Sequence, residues 1–193
     1  LSYDDGTPNG KVEFDRIQHT LTNDQRRIYD KLSEAWLTVL ANVEQALEIT
    51  ENPRGKSRIV SAFWSANQRF WNDVVTSMTA STLIQNIEKD LAEGRSVVVQ
   101  LYSTKEAATG RAIAGMGEDQ TYDDIDASPR RMLMEFVERS FPTQRHEEYT
   151  DYNGNIRTRP VVDSEGKPVR DPQAEAMKEK LLDEIGSLEV AAR

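Results

Sequence analysis

Residues 81–114, STLIQNIEKDLAEGRSVVVQLYSTKEAATGRAIA, decide how the rest of the chain is read. Leu83, Ile84, Ile87 and Leu91 recur at helical spacing, and Gly94 stands where a left-handed residue ends a helix. Val97, Val98 and Val99 then run into Leu101 and Tyr102 with only Gln100 between them. A continuous apolar run of that length predicts a strand covered on both faces, as in a sheet flanked by helices. Ser103 and Thr104 offer capping hydroxyls for a helix over residues 105–114. The stretch therefore predicts an α-β-α unit, and it is the one strongly α/β part of a sequence that otherwise reads as helix. A buried strand cannot satisfy its own backbone groups. Residues 97–102 are thus expected to pair with residues 187–190, with a hairpin at 145–162, or with a second copy of the chain.

Upstream, residues 22–49 read as one long amphipathic helix. Thr22 and Gln25 form a capping-box pair, and Ile28, Leu32, Trp36, Val39, Val43 and Leu47 repeat every three or four residues, widened by Leu40 and Ala46. Asn52, Pro53 and Gly55 break it, and a second long helix follows over residues 56–78. The short connection makes the two an antiparallel hairpin. On the second helix Phe63, Trp64, Phe70 and Trp71, with Gln68 and Arg69 beside them, have two readings. Their spacing suits the aromatic core of the hairpin; the same rings would also make a base-stacking platform. Lys56 and Arg58 near the hairpin tip are candidate phosphate contacts.

The first 21 residues are polar and turn-rich, an extended lead-in whose His19 has no partner at metal-ligand spacing. Residues 115–127 form an acidic, glycine-flanked stretch without the calcium-loop pattern. Ser128-Pro129 starts a helix ending at Phe141, with Met132, Leu133, Phe136 and Val137 inward. Residues 143–170 change character: Asn153-Gly154 predicts a β-hairpin between arms 145–151 and 156–162, Pro160 marks an edge, and residues 164–168 form a second turn. Arg145, His146, Arg157 and Arg159 on this hairpin alternate with Glu147, Glu148 and Asp151, a mixture that favours a polar hairpin or a protein contact over a nucleic-acid arm. Asp171-Pro172 repeats the cap-then-proline signature, and a helix follows to Ile185, stopped by Gly186.

Composition narrows the function. The 33 acidic residues outnumber the 24 basic ones, for a net charge of −9, the opposite of a free-standing nucleic-acid binder. There is no cysteine and only two histidines, His19 and His146, so neither a thiolate nor a histidine metal cluster is expected. Phosphate-loop, Gly-x-Ser-x-Gly and H-E-x-x-H motifs are all absent from the sequence, and no self-contained catalytic site or cofactor site is expected. With no signal-peptide pattern and no apolar run of membrane-spanning length, a cytoplasmic location is the expectation. The chain opens on Leu1 and reads as mid-protein sequence, which predicts a segment of a longer protein.

Five blocks carry a resemblance: DQRRIYDKLSEAW (24–36), SAFWSANQRFWNDVVTSM (61–78), IEKDLAEGRSVVVQLYSTKEAA (87–108), SPRRMLMEFVERSFP (128–142) and YNGNIRTRPVVDSEGKPV (152–169). Together they make residues 22–186 resemble the strawberry-notch-type family of superfamily 2 helicase-like NTPases. Its bacterial, phage and plasmid members, many on mobile genetic elements, are often described as methylase/helicase proteins. The resemblance implies a parent that is a DNA-dependent ATPase using ATP and Mg, with its phosphate loop and acidic box upstream. It implies that residues 22–80 are a helical hairpin insertion. It also implies that residues 81–193 are part of a second RecA-like domain, carrying a β-hairpin insertion at 143–170. Residues after the strand at 97–104 would then approach a nucleic-acid backbone; here they are Ser103, Thr104 and Lys105, and a helix N-terminus suits phosphate. The same two hydroxyls also serve plain helix capping.

The expected fold is therefore mainly α with a small α/β part, a long antiparallel helical hairpin beside an incomplete RecA-like α-β-α unit and a polar β-hairpin. The expected function is a non-catalytic internal segment that positions DNA or couples two motor domains. Its candidate contacts are Lys56, Arg58, Arg69, Ser103, Thr104 and Lys105, and its partners are the parent's remaining RecA-like domains. The alternative is an independent helical interaction module that dimerises or scaffolds.

Overall fold

Thr22 starts the first helix as its spacing requires. Its hydroxyl accepts from the Gln25 backbone N–H at 3.1 Å while the Gln25 side chain accepts from the Thr22 N–H at 3.0 Å, so two orphan donors are satisfied reciprocally. In the computed structural model, which describes residues 15–53, 55–100 and 128–189, this helix is α1, Asn23–Ile49. The others are α2, Gly55–Ala92; α3, Pro129–Ser140; and α4, Pro172–Gly186. Between α3 and α4 lie the two antiparallel strands β1, His146–Thr150, and β2, Ile156–Pro160. Among the described residues no helix is long and apolar enough to cross a membrane.

The helices form a closed ring of neighbours, α1 on α2, α2 on α3, α3 on α4 and α4 back on α1. Inside it sit Leu32, Trp36, Val39 and Val43 of α1, Phe63, Phe70 and Val74 of α2, Leu133, Phe136 and Val137 of α3, and Leu181 and Ile185 of α4. These are the stripes that the i, i+3, i+4 periodicity selects. Ser128 and Asp171 cap α3 and α4 through their side chains, each with proline in the first turn. Two cations tie these antiparallel helices: Arg130 donates to the Gly186 carbonyl at 3.2 Å, and Lys178, midway along α4, to the Glu138 carbonyl at 2.8 Å.

Two expectations are overturned. Residues 81–92 are not a separate helix but the continuation of α2, which runs unbroken through Thr79, Ala80, Ser81 and Thr82. No glycine or proline interrupts it there, and the Thr79 hydroxyl turns back onto the Val75 carbonyl instead of competing for the helix backbone. Residues 97–100 are not in a strand, and Val98 is 94% exposed. Among the described residues the only sheet is the β1–β2 pair, and Ser187, Leu188 and Glu189 follow α4 without entering a strand. The valine run therefore has no described neighbour to bond its backbone, which is what a buried strand needs. Leu101, Tyr102 and the predicted helix at 105–114 lie outside the described residues, as does the acidic stretch 115–127.

The hairpin is where the sequence placed it, but its turn is longer than two residues. Gly154 N–H donates to the Asp151 carbonyl at 3.0 Å, Asp151 N–H donates to the Asn155 carbonyl at 2.9 Å, and Gly154 sits at φ +79°. That is a three-residue loop closed by a left-handed glycine. The second turn repeats it: Gly166 N–H donates to the Asp163 carbonyl, Asp163 N–H to the Lys167 carbonyl, and Gly166 is at φ +78°. In both loops the leading aspartate also accepts two backbone N–H groups, from Asn153 and Asn155 in the first and from Glu165 and Lys167 in the second. The sequences D-Y-N-G-N and D-S-E-G-K are thus two copies of one turn.

Asp151 carries more than its turn. The Arg157 side chain 2.6 Å away, and then the Asn155 and Asn153 N–H groups, hold its carboxyl below the ordinary aspartate range. A lowered folded-state pKa means the contribution is present above the unfolded value and lost as pH falls through the folded one. Hairpin order, followed by the Tyr149 and Tyr152 NMR signals, is therefore expected to decay below the ordinary carboxylate range. The Asp151→Asn variant is expected to start weaker at neutral pH and to lose that pH dependence. An unchanged acid profile in the variant would refute the assignment.

Glu175, in the first turn of α4, is balanced differently. Burial pushes its carboxyl up, but hydrogen bonding to Thr143 and the Arg170 guanidinium outweigh that and hold it below the ordinary range.

α1 ends in a left-handed turn made by a non-glycine residue. Glu51 N–H donates to the Glu48 carbonyl and Asn52 N–H to the Leu47 carbonyl, the paired bonds of a Schellman motif, with Glu51 at φ +53°. The same pair of bonds ends α2 at Gly94, where glycine meets the need without strain. Glu51→Gly is expected to raise stability by about 0.5–1 kcal/mol, relief of the left-handed cost less the glycine entropy. A higher urea midpoint at unchanged slope would register it.

Candidate functional site

The α1–α2 seam carries the candidate residues, and it has an inner and an outer side. On the inner side Trp36 is the hub, with ring centroids 5.1 Å from Phe63, 5.3 Å from Phe70 and 5.7 Å from Phe136. Phe63 and Phe70 are therefore core, as the helical spacing requires. Trp64 is not: it turns outward and is 56% exposed. Trp71 lies between the two states, its ring 4.4 Å from that of Tyr29. The four aromatics read together in the sequence divide by face, two inside and two on the outer side.

That outer side is a groove of about 230 Å³, lined by Tyr29, Trp36, Leu37, Leu40, Trp64 and Trp71 among others. Beyond Trp64 it opens into a wider hollow of about 510 Å³ formed with Pro53, Lys56, Ser57, Val60 and Ser61. Most wall residues adjoin a core residue on the same helix. Leu37 follows Trp36, and Trp64 follows Phe63.

The candidate cations separate in the same way. Lys56 lines the hollow beside Trp64. Arg58 and Arg69, both exposed, lie three turns apart on one other face of α2, roughly 16 Å along the axis at 1.5 Å per residue. Among the described residues none of the three makes an ion pair. Ser103, Thr104 and Lys105 lie outside the described residues. The hairpin arginines are in the opposite condition: Arg157 meets Asp151 at 2.6 Å, Arg159 meets Glu147 at 2.7 Å, and Arg145 meets Asp171 at 4.0 Å. Arg159 also lies over the Tyr149 ring at 5.2 Å. Their charge is neutralised locally, which fits the polar hairpin read from the sequence.

His19, for which the sequence offers no partner at metal-ligand spacing, has a structural position. Its Nε2 is 3.1 Å from Gln25 Oε1 and its Nδ1 is 2.7 Å from the Thr82 hydroxyl, while Gln25 Nε2 donates to the Met78 carbonyl at 2.9 Å. The lead-in, α1 and α2 are thus joined at one polar node. The signal was present in Gln25, whose capping-box role left its amide N–H₂ free for a neighbour.

No protein-family model matches the chain, and no solved structure matches it. Curated relatives do. The chain is 28% identical over 147 residues, 76% of its length, to Protein FORGETTER 1 of Arabidopsis thaliana. It is 27% identical over 132 residues to Protein strawberry notch of Drosophila melanogaster and 26% identical over 132 residues to Protein strawberry notch homolog 1 of Homo sapiens, in each case 68% of the chain. These matches support a strawberry-notch-related chain. It spans only 11%, 8% and 9% of those three relatives' own lengths.

Proposed function

We propose that the chain is a non-catalytic segment of a helicase-like, DNA-dependent ATPase, in which the α1–α2 hairpin positions DNA or couples the motor domains. The observation that carries this reading is the similarity to strawberry notch proteins over about two thirds of the chain, together with the small share of those proteins that it spans. In this reading ATP and Mg²⁺ belong to the parent's motor domains, and those RecA-like domains are the partners. Superfamily 2 membership and a phage or plasmid origin follow from the resemblance of the sequence blocks. Within the segment, Arg58 and Arg69 present two cations on one face of α2 without ion-pair partners among the described residues, a spacing along one helix that suits successive contacts to a phosphate backbone. Lys56 stands apart from them beside Trp64.

Binding of labelled single- and double-stranded DNA across a salt series tests the proposal. Affinity is expected to fall steeply with salt. The Arg58→Ala, Arg69→Ala double variant is expected to flatten the log–log slope by about 2, close to one for each phosphate no longer neutralised. No binding at low salt would overturn the DNA-positioning role, and ATP hydrolysis by this chain alone would overturn the non-catalytic one.

A further inference from the structure

The outer groove has an apolar floor and one-sided edges. Leu37 is 67% exposed and Trp64 56%, and Tyr29 and Val75 extend the apolar strip along the seam. Such a contiguous apolar strip beside a groove marks a contact surface. Along its α1 edge run Asp30, Glu34, Glu44 and Glu48, within one broad face of the helix and one turn from Ser33, Leu37 and Leu40. All four are exposed, and among the described residues none makes an ion pair. Along the α2 edge the flanking positions Ser57, Ser61, Gln68 and Asn72 are uncharged. On the groove side cations stand at the two ends, Arg26 beside Tyr29 and Lys56 beside Trp64, while Arg27 and Lys31, one turn before Asp30 and Glu34, fall on the side of α1 away from the groove by helical rotation.

This pattern discriminates among occupants. A nucleic-acid strand whose bases stacked on Trp64 would lay phosphates along the carboxylate edge, reversing the charge attraction that binding depends on. A second copy seated through the same face would set the acidic edge either on itself or on the partner's uncharged α2 edge, depending on the direction of the two-fold axis, and neither supplies a row of cations. An amphipathic helix with basic residues along one flank meets both requirements, apolar side chains to the strip and cations to the edge.

We propose that the α1–α2 groove docks an amphipathic helix from a protein partner, its apolar stripe between Leu37 and Trp64 and its Lys or Arg flank on Asp30, Glu34 and Glu44. The groove residues Tyr29 to Leu40 span roughly 16 Å of α1, enough for anchors at i, i+4 and i+7 of the incoming helix. This adds a protein partner to the reading above and holds whether or not Arg58 and Arg69 bind DNA.

Two labelled helical peptides of about five turns each, with the same leucine stripe but flanked by Lys in one and Glu in the other, are the probes. Fluorescence anisotropy with the whole chain is expected to show the Lys peptide binding at least about tenfold tighter at low salt, with the gap narrowing as salt rises. Trp64→Ser with Leu37→Ser is expected to weaken the Lys peptide by at least about tenfold while the far-ultraviolet circular dichroism of the variant shows it still folded at the assay temperature. Glu34→Lys with Glu44→Lys is expected to reverse the preference between the two peptides. Equal binding of both peptides, binding that ignores Trp64→Ser, or self-association abolished by Leu37→Ser would each overturn the proposal. So would an oligothymidine that competes with the Lys peptide.

Discussion

Trp36→Ala is expected to lower the unfolding free energy by about 3–5 kcal/mol, the range for removing a large buried aromatic. Trp36 is 3% exposed, and its ring is shared by three helices through Phe63 and Phe70 of α2 and Phe136 of α3. The substitution therefore empties the meeting point of the bundle rather than a single pairwise packing. Against a total stability of about 5–15 kcal/mol for a domain of this kind, that leaves a small folded margin. The indole N–H adds a second, separable effect, because it is buried without a hydrogen-bond partner among the described residues. Trp36→Phe deletes that donor along with some volume, so its cost is expected to be about 1–2 kcal/mol, well short of the alanine loss. Trp64→Ala is the comparison, expected to cost about 0.5–1.5 kcal/mol because its half-exposed ring still packs edge-on against Phe63 at 5.2 Å. Urea unfolding followed by far-ultraviolet circular dichroism reads all three. Equal losses for Trp36→Ala and Trp64→Ala would mean that the division of the aromatic stripe into inside and outside is wrong.

That division shows what the sequence carries and what it withholds. The stripe in α1 and the caps of α1, α3 and α4 follow from local chemistry, periodicity and side-chain hydroxyl or carboxylate at the right offset, and they stand in the structure. Phe63 and Trp64 are neighbours in sequence, however, and periodicity places both within one broad face. Only the position of α3, which brings Phe136 within 5.7 Å of Phe63, decides which ring is covered. The valine run at 97–99 failed for the complementary reason. Its composition says strand, but a strand is a property of two segments, and the described residues supply no second one. The division between helices at 78–81 failed because the run of Thr and Ser there does not interrupt the helix: the Thr76, Ser77 and Thr79 hydroxyls bond back to carbonyls of their own helix. The candidate cations were legible as residues, but not as two faces. Lys56 and Arg58 are two residues apart, and helical rotation alone sends one to the Trp64 hollow and the other away from it.

Gly55→Ala is expected to cost about 2 kcal/mol even though alanine is the better helix former by about 1 kcal/mol. A Cβ on Gly55 would overlap Asn52 Nδ2 and lie 2.5 Å from its Oδ1 and 2.6 Å from its Cγ, so the Asn52 side chain must move. It has little room, being 8% exposed, and it is in use at both ends. Its Oδ1 accepts the Gly55 N–H at 2.8 Å, starting α2, and its backbone N–H donates to the Leu47 carbonyl at 3.1 Å, ending α1. Displacing it removes the cap, worth about 1 kcal/mol, and strands a buried amide, worth about 1–3 kcal/mol. The neighbouring Thr50 carbonyl accepts the His146 N–H at 2.9 Å, so the same joint also seats β1. A double-mutant cycle separates sterics from propensity. In an Asn52→Ala background the clash and the cap are both gone, and Gly55→Ala is expected to change sign, stabilising by up to about 1 kcal/mol. A loss of the same size in both backgrounds would mean that the close approach of Asn52 is not what requires glycine there.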